Sequence, residues 1–355
     1  MNYLRILLLS VVLTGMMAGA SHAADPEVEA YLAKVQASGA VSDLNLLFDM
    51  GLPESGPASP ETLEKVGKQY GDLAYRNEDQ DHFLRLSHKA ASLVRALDAP
   101  LTEQDSGRTI AISAGVSGRQ AIAELNGINL GAQHPGEDAL APLYSIVAGE
   151  DYDEAEYLGL LARAQGLLTA LRTDPAFLSA HNRWTGATIP QQGAVPETDV
   201  AAIYGLVGDV NFSTTIYARL LPKAVIVWDK LNQRHLVDDF NLIYNTNAVS
   251  GDPAPDTETR GHIMGIVGGF WGTYITNQGR FNFFNVLHQA AEYYRMMQTD
   301  PGRLIRYNKR HGASAPPLSA TGGIADAKSR EKYLSLAAEA VKKNRPITRH
   351  LSSFQ

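Results

Sequence analysis

Cysteine is absent from all 355 residues. Its absence excludes disulfides, thiolate nucleophiles, thiolate metal ligands and a lipid-modified N-terminal cysteine. The chain also lacks His-Glu-x-x-His, Gly-x-Ser-x-Gly and the lysine-bearing phosphate loop. The usual zinc-protease, serine-hydrolase and nucleotide-binding readings therefore have no motif to stand on. Basic charge is in deficit, with 31 Lys and Arg against 38 Asp and Glu and a formal net charge of −7. That balance is the wrong footprint for general nucleic-acid binding.

Long apolar runs are scarce as well, and the clearest opens the chain. Arg5 precedes the apolar stretch from Ile6 to Ala20, and Ser21-His22-Ala23 places small residues where a signal peptidase reads. The pattern is that of a secretory signal peptide cleaved after Ala23. The run is shorter than the roughly 20 residues a membrane span needs. No Arg-Arg pair precedes it, which favours the general export route over the twin-arginine one. A mature chain Ala24–Gln355 in the periplasm, cell envelope or exterior is expected. Its 45% hydrophobic content is that of a folded protein.

Apolar residues recur mostly at helical spacing. Asp25-Pro26 and Ser59-Pro60-Glu61 are helix openings. "DQDHFLRLSHKAASLVRALDA" (79–99), "DEAEYLGLLARAQGLLTALRTDP" (153–175), "FNFFNVLHQAAEYYRMMQ" (281–298) and "ADAKSREKYLSLAAEAVKKN" (325–344) read as helices. "RTIAISAG" (108–115) reads as a short strand, and 213–245 is open between helix and strand because of Pro222 and "AVIVW". The expected fold is mainly α: a multi-helix, bundle-like body of nine or ten helices with at most a few short strands. Loop-like stretches at 51–60, 185–197, 250–258 and 312–323 suggest a helical region over 24–184, a second over 198–311 and a terminal helix and tail over 324–355. "RTDPAF" and "QTDPGR" resemble each other, but no fixed period follows, so no repeat array is expected.

Gly261, Gly265, Gly268, Gly269 and Gly272 crowd one apolar run, "GHIMGIVGGFWGTYITN". Glycine in a helix interior costs up to about 1 kcal/mol relative to alanine. The expected compensation is helix packing, with a neighbouring backbone close against the glycines. Two other readings are a membrane-inserting segment and a loop that lets a ligand approach the backbone.

On the following helix Asn285, His288, Glu292 and Arg295 share one stripe, opposite Phe283, Leu287, Ala290, Tyr294 and Met297. If the stripe lines a cleft, Glu292 is a general acid or base, His288 its partner and Arg295 an anion clamp. Two ligands do not make a zinc site, and no metal site is expected. Glu78, His82 and Arg85 with Asp81 read as an exposed charge ladder. Ser117 reads as a helix cap, and Asp229, His235, Asp238 and Asp239 as loosely grouped polar residues near aromatics.

No motif is a complete catalytic set. The leading expectation is an exported helical binding or assembly protein acting on a protein partner through apolar and aromatic helix surfaces. The rivals are a hydrolase or lyase using His288, Glu292 and Arg295, and a membrane-active effector using the glycine run at 261–276. The residues name no cofactor. Nucleic acid is not an expected partner, and membrane contact is not favoured.

Overall fold

A computed structural model describes residues 25–105, 108–111, 116–131, 133–209, 211–315 and 323–343. The signal-peptide expectation for residues 1–23 and part of "RTIAISAG" fall outside the described residues. Within them the protein is mainly α-helical. The elements run α1 (Pro26–Ser38), α2 (Val41–Phe48), α3 (Pro60–Tyr75) and α4 (Gln80–Ala96). An antiparallel hairpin follows, β1 (Thr102–Asp105) and β2 (Arg108–Ala111), with Thr102 opposite Ala111 and Asp105 opposite Arg108. Next come α5 (Gly118–Asn126), α6 (Glu137–Val147), α7 (Glu154–Thr173), α8 (Pro175–Thr185) and α9 (Glu197–Val207). The chain continues with α10 (Thr214–Gln233), α11 (Val237–Tyr244), α12 (Thr257–Gly268), α13 (Phe283–Thr299), α14 (Pro301–His311) and α15 (Ala327–Lys342).

Local chemistry sets the boundaries. α1, α3, α8 and α14 each open on a proline, after Asp25, Ser59, Asp174 and Asp300 whose side chains accept backbone N–H bonds. Proline at a first turn forfeits no bond, and the caps satisfy donors that would otherwise be orphaned. The ambiguous segment 213–245 is two helices. Leu221, Ala224, Val227, Trp228 and Leu231 are buried at helical intervals, and that burial overrides the β-branched run. His235, at φ 56°, makes the turn into α11. The helices outnumber the nine or ten expected because short ones such as α6, which keeps Pro142 inside it, carry little periodic signal.

The helices form two compact units. Unit 1 takes residues up to Ala99 together with Ile128–Glu154; unit 2 takes Pro100–Gly127 and Ala155 onward. This division does not follow the expected regions. The loop at 185–197 lies inside unit 2, and the chain leaves unit 1 and returns to it. Linker composition cannot report such a crossing, because composition marks loops, not which bodies they join.

One device recurs four times, which the lack of a fixed period conceals. Asn45, Asn182, Asn241 and Asn308 stand in the last turns of α2, α8, α11 and α14. Each donates from Nδ2 to the carbonyl seven residues on, at Leu52, Ile189, Ala248 and Ala315, over 2.9, 2.9, 2.8 and 3.0 Å. For the first three, the N–H seven residues on returns a bond to the asparagine Oδ1. Each helix ends in a left-handed residue: Asp49, Gly186, Asn245 or Gly312. The asparagine thus ties the exit loop to the helix end, and the residue it grips is buried in every case. An amide side chain supplies both donor and acceptor, so it substitutes for the missing backbone partners beyond the helix. The "RTDPAF" and "QTDPGR" resemblance lies at the opposite ends of two of these helices, where Asp-Pro opens α8 and α14.

Candidate functional site

α13 is positioned by its apolar side. Phe283, Leu287, Ala290, Tyr294 and Met297 are all buried, and α13 packs against α11, α14 and α15. That packing turns the polar stripe outward. His288, Glu292 and Arg295 keep side-chain exposures of 51, 43 and 39%.

The stripe converges on a residue from another helix. Asp239, buried in the first turn of α11, places Oδ2 2.8 Å from His288 Nδ1 and Oδ1 2.6 Å from the Arg295 guanidinium. Arg295 also donates to Glu292 Oε1 over 3.2 Å. Glu292 is therefore a partner of Arg295, and His288 is held by Asp239. The expected His288–Glu292 pairing is replaced by a His288 hydrogen bond and an Arg295 ion pair on one buried carboxylate. Two charge-assisted bonds, together with a position near a helix N-terminus, offset the cost of burying that charge.

The same cluster exists in unit 1. Asp43, buried in the first turn of α2, lies 2.8 Å from His88 Nδ1 and 2.6 Å from the Arg95 guanidinium. The sequence carries the duplication as "VSDLNLLFD" and "VDDFNLIYN", and as Phe-x4-His-x-Ala-Ala-x3-Arg in α4 and in α13. Linear spacing along α13 alone does not show it. A catalytic centre needs one copy, whereas a clamp that ties a short helix to a long one belongs in every copy of the scaffold. Arg95 also donates to Ser42 Oγ over 3.4 Å, from the same guanidinium nitrogen that meets Asp43.

Three other polar candidates have structural partners. Asp229 pairs with Arg183, Asp81 with Lys34, and Ser117 caps α5 through Gln120 N–H. Asp238 is exposed while its neighbour Asp239 is buried in the clamp. Among the described residues no group of three or more His, Asp or Glu side chains could hold a metal ion. None of their helices is long and apolar enough to cross a membrane.

The glycine run corrects a second expectation. α12 ends at Gly268, Gly269 is its extended cap, and Phe270–Thr273 form a 3-10 turn. A Cβ at Gly272 would fall 2.2 Å from the Val267 carbonyl oxygen, and one at Gly269 3.0 Å from that of Gly265. These two glycines permit a sharp reversal, not a helix crossing. At Gly268 a Cβ would meet only the tip of Leu220 at 3.5 Å, an ordinary contact. Above Gly261 and Gly265 there is nothing within 4 Å. α12 does pack on α10, but Ile263, Ile266 and Val267 are the apolar residues it buries.

Gly261 and Gly265 instead line a groove between α12 and α15 of about 550 Å³. Phe270, Trp271 and Phe281 line it beyond the end of α12. Phe270 is 65% exposed and stands edge-on to Trp271 at 5.2 Å. Arg330, Glu331, Ser335, Glu339 and Lys342 of α15 form the facing wall. The Arg330 guanidinium lies 4.9 Å from the Tyr244 ring centre and Lys342 Nζ 4.7 Å from that of Phe281. His262 lines the same groove, and burial, helped by the nearby Arg330 charge, holds its imidazole below the usual histidine pKa.

The chain matches no known family. No curated protein and no solved structure is significantly similar to it either.

Proposed function

We propose that the protein is an exported binding protein that takes its ligand in the α12–α15 groove. The observation that carries this reading is the open space above Gly261 and Gly265. Neither glycine has a positive φ, and neither meets a packed neighbour. Nothing in the fold requires glycine there, yet each costs about 1 kcal/mol of helix propensity. A ligand that must approach the helix backbone is a sufficient reason. The volume lies within the roughly 300–1,000 Å³ of small-molecule sites, and exposed aromatic residues beside polar groups are the usual lining of one.

The enzyme reading on His288, Glu292 and Arg295 loses support to the duplicated clamp. Glu292→Gln removes one half-exposed contact of Arg295, so unchanged stability and unchanged ligand binding are expected. A complete loss of function in that variant would restore the catalytic reading.

Tryptophan fluorescence tests the groove directly. Of the three tryptophans, Trp184 and Trp228 are buried, and Trp271 lines the groove. The dye 1-anilinonaphthalene-8-sulfonate is expected to quench Trp271 in the wild-type protein and to lose this effect in Gly265→Leu, at a melting temperature no lower than that of the wild type. Equal quenching in both proteins would remove the groove from consideration. Export is tested by N-terminal sequencing of the protein recovered outside the cytoplasm, with Ala24 expected as the first residue.

A further inference from the structure

Resting on the groove reading above, we infer that the ligand is a neutral oligosaccharide. The walls of the groove differ in kind. One end presents the exposed Phe270 beside Trp271, with Phe281 under the Lys342 ammonium, an aromatic surface suited to the C–H face of a sugar. The α15 wall presents Arg330 and Lys342 as donors, Glu331 and Glu339 as acceptors, and Ser335 as either. The two cations and two anions cancel. A groove for a phosphate or a carboxylate ligand would carry cations in excess, and one for an acyl chain would be apolar throughout. A sugar hydroxyl both donates and accepts, so a wall of mixed sign and no net charge complements it. The bare backbone at Gly261 and Gly265 leaves room for a pyranose ring to lie flat against α12.

Unit 1 offers an internal contrast. Counting from the helix caps Ser59 and Asp256, Glu64 and Lys68 of α3 occupy the places of Gly261 and Gly265 in α12. The buried hydroxyls Thr62 and Thr259 confirm that register. The same helix of the scaffold therefore accepts long side chains at these two places, and in unit 2 it has none.

The test is titration of the whole mature protein with cellotriose, maltotriose and chitotriose, each to about 10 mM, following Trp271 emission. At least one sugar is expected to give a saturable change. Its apparent Kd should rise at least about tenfold, or 1.4 kcal/mol, in Gly265→Leu and in Ser335→Leu. The two variants block the groove from opposite walls, so a folding defect in one does not leave the inference without a test. A sugar response that survives both blocks would overturn it. So would silence toward all three sugars while the anilinonaphthalene dye still binds and is blocked by Gly265→Leu; the groove would then stand without a glycan. If neither sugar nor dye perturbs Trp271, the groove reading fails with it.

Discussion

The two units share a clamp and differ in what surrounds it. Asp43–His88–Arg95 and Asp239–His288–Arg295 have the same partners at the same distances. In unit 1 the α1–α2 junction is Ser38, Gly39 and Ala40, and with Leu84, Arg85, His88 and Lys89 it borders a hollow of about 550 Å³. In unit 2 the α10–α11 junction is Arg234, His235 and Leu236. Phe284, one turn before His288, carries the Arg234 guanidinium 5.2 Å above its ring. At α12 the difference reverses, because glycines stand where α3 has Glu64 and Lys68. Side-chain size, on a scaffold that recurs, decides where a concavity opens. The clamp is the constant part and the hollow the variable part, which is why function is sought in the groove and not in the His–Asp pair.

The largest expected effect breaks the likeness among the four asparagine turns. The residue before each asparagine is buried: Leu44, His181, Phe240 and Tyr307. Only His181 ionises near neutral pH. Its Nδ1 lies 2.9 Å from the Tyr217 hydroxyl, and its Nε2 has no partner among the described residues. Burial, reinforced by the Arg260 charge and opposed by Asp199, pushes its pKa down to about 4. The unfolded chain then binds a proton below about pH 6.5 that the folded one refuses until about pH 4. Stability present above pH 6.5 is lost as pH falls through that window, by about 3 kcal/mol in full. His181→Phe should flatten this dependence, measured as urea unfolding of unit 2 at pH 7.5 and pH 4.5. An equally acid-sensitive variant would assign the loss to other groups.

The clamps come next. Asp43→Ala and Asp239→Ala each remove two charge-assisted bonds, leaving half-exposed partners that water can satisfy. A loss of about 2 kcal/mol is expected in each, with similar magnitude in the two units. Chemical denaturation with a probe in each unit measures it. If Asp239→Ala leaves stability intact but abolishes function, unit 2's copy is not merely a clamp. The asparagines follow. Asn45→Ala loses one donated and one accepted bond and Asn241→Ala one donated and two accepted, about 1–2 kcal/mol each. Asn308, whose Oδ1 is buried without a partner among the described residues, should cost less. Thermal melts of the three variants give the order, and a larger loss at Asn308 would contradict it.

Much of the helix pattern was legible because caps and apolar periods are local. Asp25-Pro26, Ser59-Pro60 and the buried side of α13 follow from neighbouring residues alone. His288 and Arg295 were legible as candidates for the same reason. Their partner Asp239 was not, since the contact joins residues 49 positions apart and spacing along one helix offers the nearer Glu292 instead. Aligning the chain with itself would have shown it, through the shared Phe, His, Ala-Ala and Arg of α4 and α13. The glycine run misled for a different reason. A small residue looks the same in sequence whether a helix, a tight turn or empty space lies above it.

The smallest effect separates those three cases. In α12, Gly265→Ala adds a methyl that meets nothing within 4 Å and removes the backbone entropy cost of glycine. The helix should gain up to about 1 kcal/mol. Gly272→Ala places its methyl 2.2 Å from a backbone oxygen that cannot move aside without breaking the turn, so it should destabilise. Unit 1 supplies the reference, because Lys68→Ala at the corresponding place in α3 exchanges two good helix formers and should change little. Differential scanning calorimetry of the three variants reads the sequence gain, loss and near-zero. A stabilised Gly265→Ala with weakened ligand binding would show the glycine to be kept against the interest of the helix. A destabilised one would return Gly265 to the packing role and close the groove as a site.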